Sequence, residues 1–148
     1  MNTTIKTNLD SSVTEDNLND IGKLALRVTL SILILLHGVS KLIGGPGFIT
    51  GLVAATGLPA ELGYLVYVGE ILAPLLVLFG IWARIGALII AGNMIVAITL
   101  VHTSDLFKIN QTGGWQLELQ VMFLMTAVTV ALLGAGRYSI QRTQHQWN

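Results

Sequence analysis

A single carboxylate, Glu70, stands inside the apolar run LGYLVYVGEILAPLLVLFGI (residues 62–81), and Pro74 follows it by four positions. A helix of that length crosses roughly 30 Å of hydrocarbon. A charge at that depth costs roughly 2.5–3.5 kcal/mol on insertion scales unless it turns inward and meets a partner. Pro74 has no N–H to return to the Glu70 carbonyl, so one turn holds both a buried acid and a freed acceptor. An acid in this setting suits proton exchange or ligand binding, and so does Glu118 further along the chain. His37, Lys41 and His102 complete the set of residues able to answer Glu70 or hold a ligand.

These residues lie on elements that the sequence outlines. Residues 1–20 are polar and acidic and form an N-terminal tail, disordered or lying on the surface, in which Asp16, Asn17 or Asp20 can cap the helix that follows. The body covers residues 21–140, and residues 141–148 are a polar C-terminal tail. The first span is 24–43. Arg27, Ser31, Ile34, Gly38 and Lys41 recur on it at three- and four-residue steps and share one face, with His37 on its flank. Gly44-Gly45-Pro46-Gly47 breaks the helix. Residues 48–58 are apolar but too short to cross, so they form an interfacial or re-entrant helix. The second span is 62–81 and the third is 85–101, with Asn93 and His102 half a turn out of phase. The fourth is 116–133, which Glu118 opens and Met122, Met125 and Thr129 continue on one face.

Composition sets the class. The chain has 148 residues, 53% hydrophobic and 11% charged, and a mean hydropathy of +0.71. A soluble domain carries about 25% charged residues. The expected fold is therefore an all-α membrane protein, a four-transmembrane-helix bundle with a short helix between spans one and two. A net charge of zero offers no basic surface to nucleic acid. The absence of cysteine excludes disulfides, Cys-ligated iron–sulfur clusters and covalent c-type haem. No covalently bound cofactor is expected.

Lysine and arginine give an orientation. Lys6, Lys23, Arg27, Arg84, Arg137 and Arg142 fall on one side, and Lys41 and Lys108 on the other. The positive-inside rule makes both termini cytoplasmic, in a bacterial inner membrane. His37, Lys41, Glu70, His102 and Glu118 then converge in the outer half as one polar pocket. Two histidines invite a b-type haem, but only His37 lies within a span, and matched depth on facing helices is required. A metal site from His37, Glu70, His102 and Glu118 has suitable ligand types and no specific spacing, so none is expected.

The run LALRVTLSILILLHGVSKL (residues 24–42) resembles the opening of DoxX-family membrane proteins, with an early Arg27 and an HG-x-x-K element at His37, Gly38 and Lys41. Gly57-Leu58-Pro59, Gly69-Glu70, Arg84, His102, Gly114 with Glu118, and Gly136-Arg137-Tyr138-Ser139 continue the match over residues 24–141. Many members carry an acid where this chain has Gln141. The resemblance implies a four-helix inner-membrane protein similar to the small membrane subunits of thiosulfate:quinone oxidoreductase, with quinone as the ligand and a redox protein as partner. Glu70 and Glu118 would then exchange protons, and His37 or Lys41 would bond a quinone oxygen. The second expectation is non-enzymatic: a scaffold, assembly partner or small-ligand binder in which Lys41, Glu70 and Glu118 form a structural ion network. Transport would call for a homo-oligomer, since four spans are few for a solitary transporter.

Overall fold

The computed structural model describes the backbone of residues 3–141 and 148, and the side chains of residues 14–141 and 148. The side chains of Lys6 and Asp10, and Arg142 altogether, lie outside that description. Among the described residues the chain is all-helical and has no strand. Five helices carry it: α1 (Thr3–Gly44), α2 (Gly47–Ala55), α3 (Ala60–Phe79), α4 (Ala83–Val101) and α5 (Glu118–Leu133).

α1 starts at Thr3, well ahead of the expected start near residue 21. No glycine precedes Gly22 and no proline precedes Pro46, so nothing interrupts the backbone. Asp16, Asn17 and Asp20 thus sit inside the helix rather than at its N-cap. Asp20 instead accepts the backbone N–H of Arg137 at 3.2 Å and ties α1 to the chain after α5. The helix ends at the predicted breaker, and the short α2 follows directly.

α3 is not a uniform helix. A 3₁₀ stretch (Ala60–Tyr64) leads through one α turn into a π-helical turn at Val68–Leu72, and α geometry returns at Ala73–Phe79. The Ala73 N–H reaches back five residues to the Val68 carbonyl. Pro74 supplies the reason, since it cannot donate into a regular ladder there. π turns of this kind concentrate at functional sites, and this one contains Glu70.

α4 and α5 pair closely behind α3, and one apolar core joins the bundle. It is built from Leu30 and Ile34 of α1, Ala73 and Val77 of α3, Ala87 and Ile90 of α4, and Phe123, Ala127 and Val130 of α5. Lipid is as apolar as these side chains, so close packing rather than water exclusion holds such helices together. The alanines and Gly86 serve that purpose. A Cβ on Gly86 would lie 2.9 Å from the Ala73 carbonyl oxygen. Ile32, Leu36, Leu88, Ile95, Met122 and Leu132 point outward and suit lipid.

Among the described residues three helical stretches are long and apolar enough to cross a membrane: Thr14–Gly44, Ala60–Phe79 and Ala83–Val101. α5 stands where the fourth span of residues 116–133 is expected and is shorter than that span. It has 16 residues, about 24 Å of rise, which is short of the hydrocarbon thickness. Residues 116 and 117 are lost to it because the Glu118 N–H bonds the Trp115 carbonyl in a turn.

Candidate functional site

Four of the five predicted site residues line one cavity of about 700 Å³: His37 and Lys41 from α1, Glu70 from α3, and His102 at the end of α4. Asn93 of α4, Gln120 and Phe123 of α5 and Phe48 of α2 complete its polar and aromatic lining. The remaining wall is aliphatic.

Glu70 is answered from two helices. Lys41 Nζ lies 2.5 Å from its Oε1, and Asn93 Nδ2 donates to the same oxygen at 3.3 Å. Among the described residues its other oxygen, Oε2, is buried without a hydrogen-bond partner. The carboxylate as a whole is 3% exposed. Two glycines let the helices come this close. A Cβ on Gly38 would run into the Glu70 carbonyl oxygen and lie 2.8 Å from both its carbon and Ile71 Cγ1. A Cβ on Gly69 would lie 2.5 Å from Asn93 Cγ. The carbonyl that Pro74 deprives of a donor therefore sits against Gly38 of α1. The Tyr67 hydroxyl, one turn earlier, donates to the Lys41 carbonyl at 3.3 Å and closes the same contact.

His102 stands at the far end of the cavity. It lies nine residues from Asn93, about 13 Å along the helix. The two side chains are out of phase, and they meet different neighbours: Asn93 faces Glu70, and His102 faces Gln120 and Asp105. The distances are 3.2 Å from His102 Nε2 to Gln120 Nε2 and 3.2 Å from Nδ1 to Asp105 Oδ2. A ring protonated at Nδ1 satisfies both, donating to Asp105 and accepting from Gln120. Asp105 also takes Lys108 Nζ at 3.0 Å. Lys108, with His102 second, holds the Asp105 carboxyl below the usual carboxylate range. His37 packs its ring edge-on against Phe123, with centroids 5.7 Å apart, and among the described residues its nitrogens have no hydrogen-bond partner.

Glu118 does not join this group. It is exposed, and it accepts Asn110 Nδ2 at 3.2 Å beside the tight turn at Gly113 and Gly114. The geometry of α5 explains this. Residues advance 100° per position, so when Gln120 and Phe123 face the cavity, Glu118 looks away. Met122 and Met125, which share its face, are exposed as well. The expected Lys41–Glu70–Glu118 network is therefore Lys41–Glu70–Asn93.

A second polar node forms at the other end of the bundle. Arg27 is fully buried, donates from Nη2 to the Tyr138 carbonyl and from Nη1 to the Val77 carbonyl at 3.4 Å. Gly80, at φ +65, leaves room for that guanidinium. A cation suits the carbonyl end of α3. The periodic stripe on α1 is thus its buried face, running from Arg27 at one end to Lys41 at the other. Gly38 stands on the periodic stripe of α1 and Gly69 beside Glu70, both marked in the sequence, whereas nothing in the sequence marked Gln120.

The sequence profile of the DoxX family matches residues 22–103. Two curated relatives are similar over most of their length. One, from Bacillus subtilis (strain 168), is named "Putative oxidoreductase CatD"; it is 33% identical over 116 residues, 78% of this chain and 81% of the relative. The other, from Escherichia coli (strain K12), is named "Inner membrane protein YqjF"; it is 32% identical over 126 residues, 84% of this chain and 93% of the relative. No solved structure matches the chain significantly.

Proposed function

This chain belongs to the DoxX family of membrane proteins, and from that premise we propose that it is a quinone-linked, redox-associated subunit of a bacterial inner membrane. The observation that carries the proposal is the cavity: aliphatic walls with a buried, ion-paired carboxylate at one end. Ligand sites of this kind combine apolar walls with a few convergent polar groups. Two names among the relatives, an oxidoreductase and an inner membrane protein, point the same way.

The chemistry of the lining fits a quinone. Ile34, Met94 and Phe123 supply apolar surface for a flat ring. Phe48, Leu58, Leu62 and Leu65 line the cavity and are also exposed, which suits a ligand that keeps an apolar tail in lipid. A quinone, when bound, supplies two-electron chemistry coupled to two protons. Within the chain, Glu70 exchanges a proton, Lys41 and Asn93 hold its Oε1, and His37 bonds a ring oxygen. Glu118 is left out because it lies outside the cavity. Electrons come from a partner protein or a small reductant. The orientation has both termini cytoplasmic, with α5 and its flanking residues making a fourth crossing of a bilayer thinned to fit it.

The 2.5 Å pair between Lys41 and Glu70 also favours a second function, a non-enzymatic scaffold in which the same charges only fix packing. Purification in mild detergent, solvent extraction and mass spectrometry separate the two. Quinone should co-purify with the wild-type chain and with Glu118→Gln, and be lost from folded Glu70→Gln. Protein that is free of quinone in all three forms removes the quinone assignment and leaves the scaffold.

A further inference from the structure

We propose that the loop joining α4 to α5 docks on lipid: Phe107, Ile109 and Trp115 seat it in the boundary between headgroups and acyl chains, on the side of the membrane where α4 ends. The inference does not depend on the quinone reading.

The sequence between the two helices is mostly polar, yet its fold turns the apolar residues outward. A 3₁₀ turn (Thr103–Asp105) follows α4 directly. A small hairpin then closes at one antiparallel bridge between Ile109 and Trp115. The Asn110 N–H donates to the Gly114 carbonyl at 2.7 Å, and the Gln116 N–H donates to the Lys108 carbonyl at 3.0 Å. Ile109 and Trp115 are therefore a non-hydrogen-bonded pair, whose side chains stand close together on one face. The fold leaves that face bare: Ile109 is 74% exposed and Trp115 41%. Phe107, just before them, is 98% exposed.

Three features make lipid the occupant. The first is position. The loop leaves α4 at Val101, the last residue of an apolar stretch long enough to cross a membrane. α5 falls about 6 Å short of the hydrocarbon thickness, so the residues that lead into it stand at the hydrocarbon edge. Leu119 and Met122, in the first turns of α5, are exposed as well and extend the apolar surface. The second is the backbone, whose polar groups need partners where water is scarce. The Asp105 and Lys108 N–H groups bond the carbonyls of His102 and Asp105 at 2.9 and 3.1 Å. Trp115 Nε1 donates to the Leu106 carbonyl, which ties the polar atom of the indole to the loop. The third is charge. Asp105 takes Lys108 on one oxygen and His102 on the other, so these groups answer one another. Aromatic side chains collect at such boundaries because their rings are apolar and their edges polar.

The chain has no cysteine, so a spin label can be placed at single positions. Phe107→Cys and Ile109→Cys are labelled in the full chain, in phosphatidylcholine nanodiscs. Ile95→Cys, exposed on the middle of α4, is the lipid reference, and Glu15→Cys, exposed on the polar start of α1, is the water reference. Power saturation compares collisions with oxygen, which concentrates among acyl chains, and with a nickel chelate, which stays in water. Labels at 107 and 109 should both collide more with oxygen than with nickel, as at position 95. More frequent nickel collisions at either position, as at position 15, overturn the inference and leave the face to a protein partner. Both replaced side chains are mostly exposed, so the variants keep the packing of the bundle; a wild-type elution profile in detergent checks this before labelling.

Discussion

Replacing Lys41 by methionine takes the cation away from a carboxylate that has almost no access to water. The Glu70 side chain is 3% exposed and the Lys41 side chain 34%. At an effective dielectric of about 20, unit charges about 4 Å apart attract by about 4 kcal/mol. The partial exposure of Lys41 screens some of this, and about 2–3 kcal/mol is the expected loss in Lys41→Met. Glu70→Gln should cost less, about 1 kcal/mol, because glutamine keeps the bond to Asn93 and the freed amine can extend to the interface. The double variant removes both charges and should cost about 1 kcal/mol or less, which leaves a coupling energy of about 2 kcal/mol between the two sites. Titration with sodium dodecyl sulfate in mixed micelles, followed by circular dichroism, measures all four free energies. Equal losses in the two single variants, or a double variant no better than Lys41→Met, would refute the dependence of Glu70 on Lys41.

Two further perturbations test the surroundings of the pair. Gly38→Ala forces a methyl against the Glu70 backbone and Ile71 and should destabilise by about 1–3 kcal/mol, whereas Gly92→Ala, which meets nothing within 4 Å, should be neutral or slightly stabilising; the same detergent titration distinguishes them, and equal effects would mean that α1 does not need its close approach to α3. The Asp105 cluster should respond to acid. Its carboxyl titrates lower in the folded chain than in the unfolded one, owing first to Lys108 and then to His102, so its contribution is full above about pH 4 and fades as pH falls below that. Trp115, whose Nε1 donates to the Leu106 carbonyl at 2.8 Å, reports on that loop by fluorescence; the signal should hold from pH 8 to 5 and change below 4, and Asp105→Asn should abolish the transition.

Much of the candidate site can be read from residue spacing. The stripe Arg27, Ser31, Ile34, Gly38 and Lys41 is legible because a helix buries one face, and these positions repeat at its period. Glu70 is legible because a charge in an apolar run demands an explanation. Glu118 was placed in the pocket because it opens an apolar helix at the right depth. Depth follows from counting residues, but the direction in which a side chain points depends on how α5 is rotated against α4. Gln120, Phe123 and Ala127 set that rotation through packing, and Glu118 turns outward as a result. Arg27 stands on that stripe, but its burial was not legible, because the Val77 and Tyr138 carbonyls that hold it come from segments far apart in sequence.

Sequence alone determined the solvent this protein lives in, its helical class, its family, the break after residue 43 and the oddity of Glu70 beside Pro74. These are local or compositional properties, set by hydropathy, by the missing N–H of proline and by the period of the helix. Only the tertiary structure decided that Oε1 of Glu70 takes both Lys41 and Asn93 while Oε2 takes no partner among the described residues. It also decided that Gly38 and Gly69 are contact points where Gly51 and Gly92 are not, and that His102 turns toward Gln120 rather than Glu70. Such facts depend on which faces of separate helices meet, and packing between distant segments fixes that rather than any single stretch of chain.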